Sequence, residues 1–321
     1  MRACGRDAGI PSAGAEGENM QEGKGLAAMF PGDKGIAKHA SVVLTEDFET
    51  GDIAALKAKW SDISNKAGRP LALETDKSTG RRALKITATL GEDNGGHLFT
   101  LLPRASETLY ARFYVRFEPD ADYIHHFVWM GGHNPPQRWP NPQAGNKPSG
   151  DDRLSVGIEP HGGNGRFAAP GAWNFYTYWH EMKKSADGKF WGAGIGPTTP
   201  LLVPKDRWQC VEFMTKLNST PEKSDGELAL WLDGKLAMHI APGVRRGPWT
   251  GLGFTLPETG GEPFEGFRWR TSNALKLNNF WLEHYVTEEA LKRNRSRLKP
   301  TNSVWFDDIV LATEYIGPRT G

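Results

Sequence analysis

Apolar and polar residues alternate with a period of two over much of this chain, the mark of half-buried strands. The clearest run is LYARFYVRF at 109–117. Leu109, Ala111, Phe113, Val115 and Phe117 share one face, and Tyr110, Arg112, Tyr114 and Arg116 the other. Shorter runs at 71–75, 82–90 and 97–102 lie between Gly, Asp and Asn turns. Further strands are predicted at 123–132, 153–160, 173–183, 207–218, 275–286 and 304–317. LALWLDGKLAMHI at 228–240 reads as a hairpin, because Asp233-Gly234 supplies the positive φ angles of a tight turn. Helical spacing is confined to two places. At 52–60, Ile53, Leu56 and Trp60 recur behind a capping Asp52. At 287–300, Thr287 caps, Glu288 and Glu289 open, basic residues close and Pro300 stops the helix. Residues 184–206 and 241–274 read as irregular.

Residues 1–26 carry no periodicity and are expected to be disordered, with one domain over 27–321. Many short strands, few helices and no βαβ alternation predict an all-β, two-sheet antiparallel sandwich.

Composition sharpens this reading at a few points. The 38 glycines and 22 prolines among 321 residues suit a turn-rich β protein. A net charge of +1 gives no global pull toward nucleic acid or an anionic membrane. Two cysteines, Cys4 and Cys210, make no disulfide framework or metal-type spacing. No window has the apolar length of a membrane-crossing helix. The first 25 residues lack the apolar stretch of a signal peptide.

Tyrosine, histidine, arginine and tryptophan concentrate between 109 and 180, on predicted strands, which is the chemistry of a sugar-binding groove. Alternation in NFYTYWH puts Asn174, Tyr176, Tyr178 and His180 on one face. Arg153 shares a face with Ser155 and Glu159. His125 alternates with Phe127 and Trp129, and His126 with Val128 and Met130. That favours His125 in the groove beside Trp129, with the reverse assignment open. Arg112, Tyr114 and Arg116 would line the same groove if their strand neighbours these, and Trp139 is a loop residue suited to stacking on a sugar. Each has a plainer alternative: core-edge tyrosines, a surface arginine paired with Asp151, structural histidines, loop-anchoring tryptophans. Asp151-Asp152 and 161–164 offer oxygens for a structural calcium, but their spacing fits no EF-hand loop. No cofactor is expected.

EDFETGD before Trp60, the strand DRWQCVEFMTKLN, the LWLDGK hairpin and the closing VWFDDIVLATEYIG together resemble the concanavalin A-like jelly-roll superfamily over roughly 40–317. Within it, YVRFEPDAD, HHFVWMGG, DDRLSV and YTY are similar to polysaccharide lyase family 14, the alginate and glucuronan lyases. The resemblance implies a catalytic set of Arg153, Tyr176 and Tyr178, with the family's lysine falling near His125. That lysine is a histidine here, and the family's serine two residues before the arginine is Asp151.

A uronate lyase needs a group to neutralise the substrate carboxylate, a base for the C5 proton and an acid for the leaving oxygen. Arg153 fits the first role, Tyr178 the proton transfer, and His125 or His126 is a further candidate base. The expectation is therefore a polysaccharide lyase, monomeric, with a saccharide as its only partner. A lectin-like binding protein is the alternative, and a glycoside hydrolase, whose paired-carboxylate strand is missing, comes after it.

Overall fold

The computed structural model describes residues 20–138 and 143–321. Its first eight strands are β1 (Val42–Glu46), β2 (Asp62–Ser64), β3 (Leu71–Thr75), β4 (Arg82–Thr89), β5 (Gly95–Ser106), β6 (Thr108–Phe117), β7 (His126–His133) and β8 (Arg153–His161). There follow β9 (Ala172–Tyr178), β10 (Ala193–Pro197), β11 (Gln209–Lys216), β12 (Glu227–Leu232), β13 (Lys235–Ile240), β14 (Arg245–Arg246), β15 (Phe254–Leu256) and β16 (Glu262–Pro263). The last strands are β17 (Leu277–Tyr285) and β18 (Thr301–Ala312), with the helix α1 (Glu288–Arg293) between them.

Two eight-stranded sheets form a β-sandwich jelly roll. The first runs β13-β12-β11-β6-β18-β4-β3, with β1 also on β18. The second runs β15-β10-β9-β8-β7-β17-β5-β2. Among the described residues, only the β10–β15 pairing of the large sheets is parallel. The apolar face of β6 closes the core between the sheets. Phe113 and Phe117 meet Phe127 of β7 at 6.4 and 5.4 Å, and Phe127 meets Phe306 at 5.1 Å. Between β12 and β13, Asp233 and Gly234 have φ of 52° and 79°, the left-handed pair that a two-residue hairpin requires.

The outward face of β6 overturns one expectation. β6 pairs with β11 and β18 in the first sheet, so Arg112, Tyr114 and Arg116 lie on the opposite side of the molecule from β7, β8 and β9. They are not groove residues. Arg112 is 0% exposed and ion-paired with Asp33. Tyr114 accepts a hydrogen bond from the Arg319 backbone at 2.9 Å, and Arg116 pairs with Asp76 and lies over the Trp305 ring. Two straps cover this face. Leu26, Ala27 and Ile36 pack with Val310, Ala312 and Ile316, and the Glu212 carboxylate accepts from the Ile316 and Gly317 amides at 2.7 and 2.8 Å. Residues 20–26, assigned to a disordered segment by their composition, run beside this surface: Gly23 donates to Gly234 O at 2.8 Å and Trp231 Nε1 to Gln21 O at 2.8 Å. Residues 1–19, Cys4 among them, lie outside the described residues.

The helices are shorter than their patterns suggest. At 52–60 there is one 3-10 turn, Ala55–Ala58, with Asp52 accepting from the Ala55 amide. α1 keeps its Thr287 cap but ends at Arg293. The Asn294 side chain takes the Ala290 carbonyl, and Arg295 and Leu298 have positive φ. Among the described residues no helix is long and apolar enough to cross a membrane.

Candidate functional site

The face of the second sheet that points away from the core carries the polar and aromatic residues in register. Trp281, Trp129, Gly157 and Tyr176 form one row across β17, β7, β8 and β9. Asn279, Gly131, Ser155 and Tyr178 form the next, and His133 lies opposite Arg153 beyond it. On the other side, Glu159 lies opposite Asn174. Arg153, Tyr176 and Tyr178 thus share one face, as alternation places them. Gly157 is required by its neighbour: a Cβ there would sit 2.9 Å from the Trp129 ring.

The histidines are arranged otherwise. The β7–β17 register slips between Leu282 and Tyr285, so Phe127 and Val128 both turn into the core. This bulge puts His126, not His125, on the face of Trp129, their rings 5.3 Å apart. His126 also lies 5.3 Å from Tyr176, and its Nδ1 is 3.0 Å from Glu159 Oε2. His125 precedes the strand. It stacks on His126 at 4.2 Å and on Tyr285 at 5.3 Å, with Nδ1 3.0 Å from the Thr287 hydroxyl.

A cleft of about 840 Å³ opens over one part of this face, within the range of small-molecule sites. His125, His126, Glu159, Asn174 and Tyr176 line its floor, the 250–255 loop one side, and Arg166 and Arg293 its rim. Arg166 donates Nε to Gly163 O at 3.0 Å and lies over the Phe167 ring; Arg293 projects from the last turn of α1. Both are exposed cations.

Burial sets the protonation of the floor. It lowers His126 to about 3, helped by the positive Arg293, and raises Glu159 well above the usual carboxylate range. Burial thus favours the uncharged form of each. His125 is lowered to about 3 by burial and by its neighbour His126. Burial and the nearby Tyr178 and Glu159 push Tyr176 well above an ordinary phenol. Glu283 is raised to about 8 by burial, although Trp129 Nε1 donates to it at 2.8 Å.

The other expected residues lie under cover. Tyr178 is 1% exposed; its ring meets Tyr176 edge to face at 5.7 Å. Burial raises it, while Tyr176, the Gly192 amide and Arg153 pull it back. Arg153 is 3% exposed, with Nη1 on Asp152 at 2.6 Å and Nη2 on Asn146 O at 2.9 Å. Trp129 is not a stacking platform for a sugar, because its ring is buried in the floor against Trp281. His180 is not in the cleft either: β9 ends at Tyr178, and the His180 ring packs against Gly150. Trp139 lies outside the described residues. No group of three or more potential metal ligands occurs among the described residues.

Sequence reading missed Glu283, Trp281 and Tyr285 on β17, which alternation in LNNFWLEHY does align on one face. It also missed Arg166 and Arg293. One is in an irregular Gly-rich loop and the other is in a basic helix end that reads simply as complementing the helix dipole.

No protein-family model matches the sequence, and no curated protein matches it significantly. Solved structures do match in three dimensions. An alginate lyase from Chlorella virus superposes with a TM-score of 0.56 at 14% identity, over 84% of this chain and 99% of that one. A mutant of the alginate lyase Aly36B, in complex with an alginate trisaccharide, gives 0.53 at 13%, over 85% and 99%. A marine PL-14 alginate lyase from Aplysia kurodai gives 0.52 at 12%, over 85% and 100%. The chain has the fold of these alginate lyases.

Proposed function

We propose that this protein is a polysaccharide lyase that cleaves a uronic-acid-containing polysaccharide by β-elimination, with its floor residues His126 and Tyr176 handling the protons. The observation that carries this reading is their convergence. The half-buried His126 imidazole and Tyr176 phenol, ring centroids 5.3 Å apart, face one cleft, and two arginines stand at its rim.

Paired groups whose environments push their pKa values apart suggest the division of acid and base roles. In the tautomer whose Nδ1–H donates to Glu159 Oε2 at 3.0 Å, Nε2 is the nitrogen that can take a proton from C5. A bound uronate raises its basicity, because a nearby anion favours the imidazolium. Tyr176 keeps its proton and is suited to deliver it to the C4 oxygen as the C4–O bond breaks and C4=C5 forms. Arg166 or Arg293 would neutralise the carboxylate through its planar fork. Arg153 and Tyr178 fit a supporting role behind Tyr176, with Tyr178 still a candidate for the proton transfer. The alginate-lyase fold supports the same reading.

The test is a panel of uronate and neutral polysaccharides followed at the absorbance of the unsaturated product. The expected result is new absorbance on a uronate polymer. Reducing ends without absorbance would identify a hydrolase instead, and binding without either a lectin.

A further inference from the structure

One end of the second sheet's outer face, beside the cleft, is covered by loops. Two loops that flank the sheet, 143–152 and 185–192, are tied together by an antiparallel bridge: Gly145 N to Phe190 O at 3.0 Å and Phe190 N to Gly145 O at 3.1 Å. Trp191 packs on Gly145 and donates its Nε1 to Asp187 at 2.9 Å. The first loop is anchored below by Arg153 on Asn146 O and beyond by the Thr271 amide on Gly150 O at 2.8 Å. The second abuts the floor, with the Gly192 amide donating to the Tyr176 hydroxyl at 3.0 Å. This wall covers Tyr178 and Arg153 and stops at Tyr176, where Ser185 and Ala186 begin the cleft lining. From there the cleft runs past Asn174, Glu159 and His126 to Arg166 and Arg293.

We infer that the site receives its polysaccharide end-on: a chain terminus lies against the wall at Tyr176, and the rest of the chain leaves past Arg166 and Arg293. A through-groove would leave both ends of the sheet face open, and here the bridged loops occupy one of them. One arginine then neutralises the carboxylate of the reacting uronate, and the other meets that of a sugar further along the chain. The cleavage mode rests on the lyase reading above and deepens it: the bond broken is near the terminus, and products are short from the first turnovers.

The test follows absorbance, viscosity and product size together during digestion of a long uronate polymer. The expected result is absorbance rising with little loss of viscosity and one small product dominant from the earliest time. Rapid viscosity loss with a ladder of oligomers would overturn end-on docking and leave the lyase reading standing. If no polymer gives absorbance, the lyase reading fails, and docking is judged by calorimetric titration with uronate oligomers of increasing length. One protein per chain at every length supports it; stoichiometry growing with length overturns it. Trp191→Ala, which loosens the wall outside the floor, is expected to shift the products toward longer oligomers.

Discussion

At the scale of single residues, the site is decided by which hydroxyl and which imidazole reach the cleft. Tyr176→Phe keeps the ring packing and removes the proposed acid. Turnover is expected to fall ~10²–10⁴-fold with substrate binding little changed. Tyr178→Phe removes a sealed hydroxyl and is expected to cost less; steady-state kinetics of both variants on one polymer will rank them, and a larger loss at Tyr178 would reverse the roles. pH adds a second check. An ordinary histidine base protonates near 6.5, whereas burial lowers His126 to about 3. The kcat/KM is therefore expected to show no loss on acidification from pH 7 to 5. A fall centred near 6.5 in the kcat/KM profile would exclude His126 as it stands in the free protein. Strand alternation was enough to bring Arg153, Tyr176 and Tyr178 to one face, since it is a property of each strand alone. It gave the wrong histidine beside Trp129, because the bulge belongs to the pairing of β7 with β17, some 150 residues apart, and leaves no mark in HHFVW itself. Nor does alternation report cover: Trp129 and Tyr178 face the right way and are buried by packing on that face.

At the scale of elements, most strands were legible to within a few residues, since alternation and turn residues are local. Their neighbours were not. A groove role for β6 required it to neighbour β7, β8 or β9, but it pairs with β11 and β18, which are set by long-range register. That is why Arg112, Tyr114 and Arg116 were placed on the wrong side of the molecule. The two helices were overestimated because good ends and a short apolar stripe do not supply the burial that sustains further turns. Two substitutions test element-level packing. Gly157→Ala forces a Cβ against the Trp129 ring and is expected to destabilise by ~1–3 kcal/mol in chemical denaturation. It should also perturb tryptophan fluorescence, since Trp129 stacks on Trp281 at 6.5 Å. Thr287→Ala removes the acceptor for the Ala290 amide as well as the contact to His125, at a cost of about 1 kcal/mol.

For the whole molecule, buried titratable groups make stability depend on pH in opposite senses. Glu283 and Asp307 are raised to about 8 and Glu212 to about 7, all first by burial. A carboxyl whose folded pKa is raised binds more protons folded than unfolded between about 4.5 and 8, so stability is lost as pH rises through that window. His125 and His126, lowered to about 3, act the other way: the unfolded chain takes up their protons first, and stability is lost as pH falls from about 6.5 toward 3. Above about pH 7.5 the unfolded histidines have given up most of their protons and the carboxyls dominate, so the thermal midpoint is expected to drop from there toward pH 8. Glu283→Gln should flatten the drop; an unchanged slope in scanning calorimetry would show that Glu283 does not contribute. The straps across the first sheet have a practical consequence. The segment from residue 20 and the last residues to 321 both lie on the side of the sandwich opposite the cleft. A tether attached at residue 321 would anchor the molecule by its back. Immobilised on a bead or sensor through that point, the protein would hold the cleft outward, toward the bulk liquid, where a large dissolved polymer can reach it.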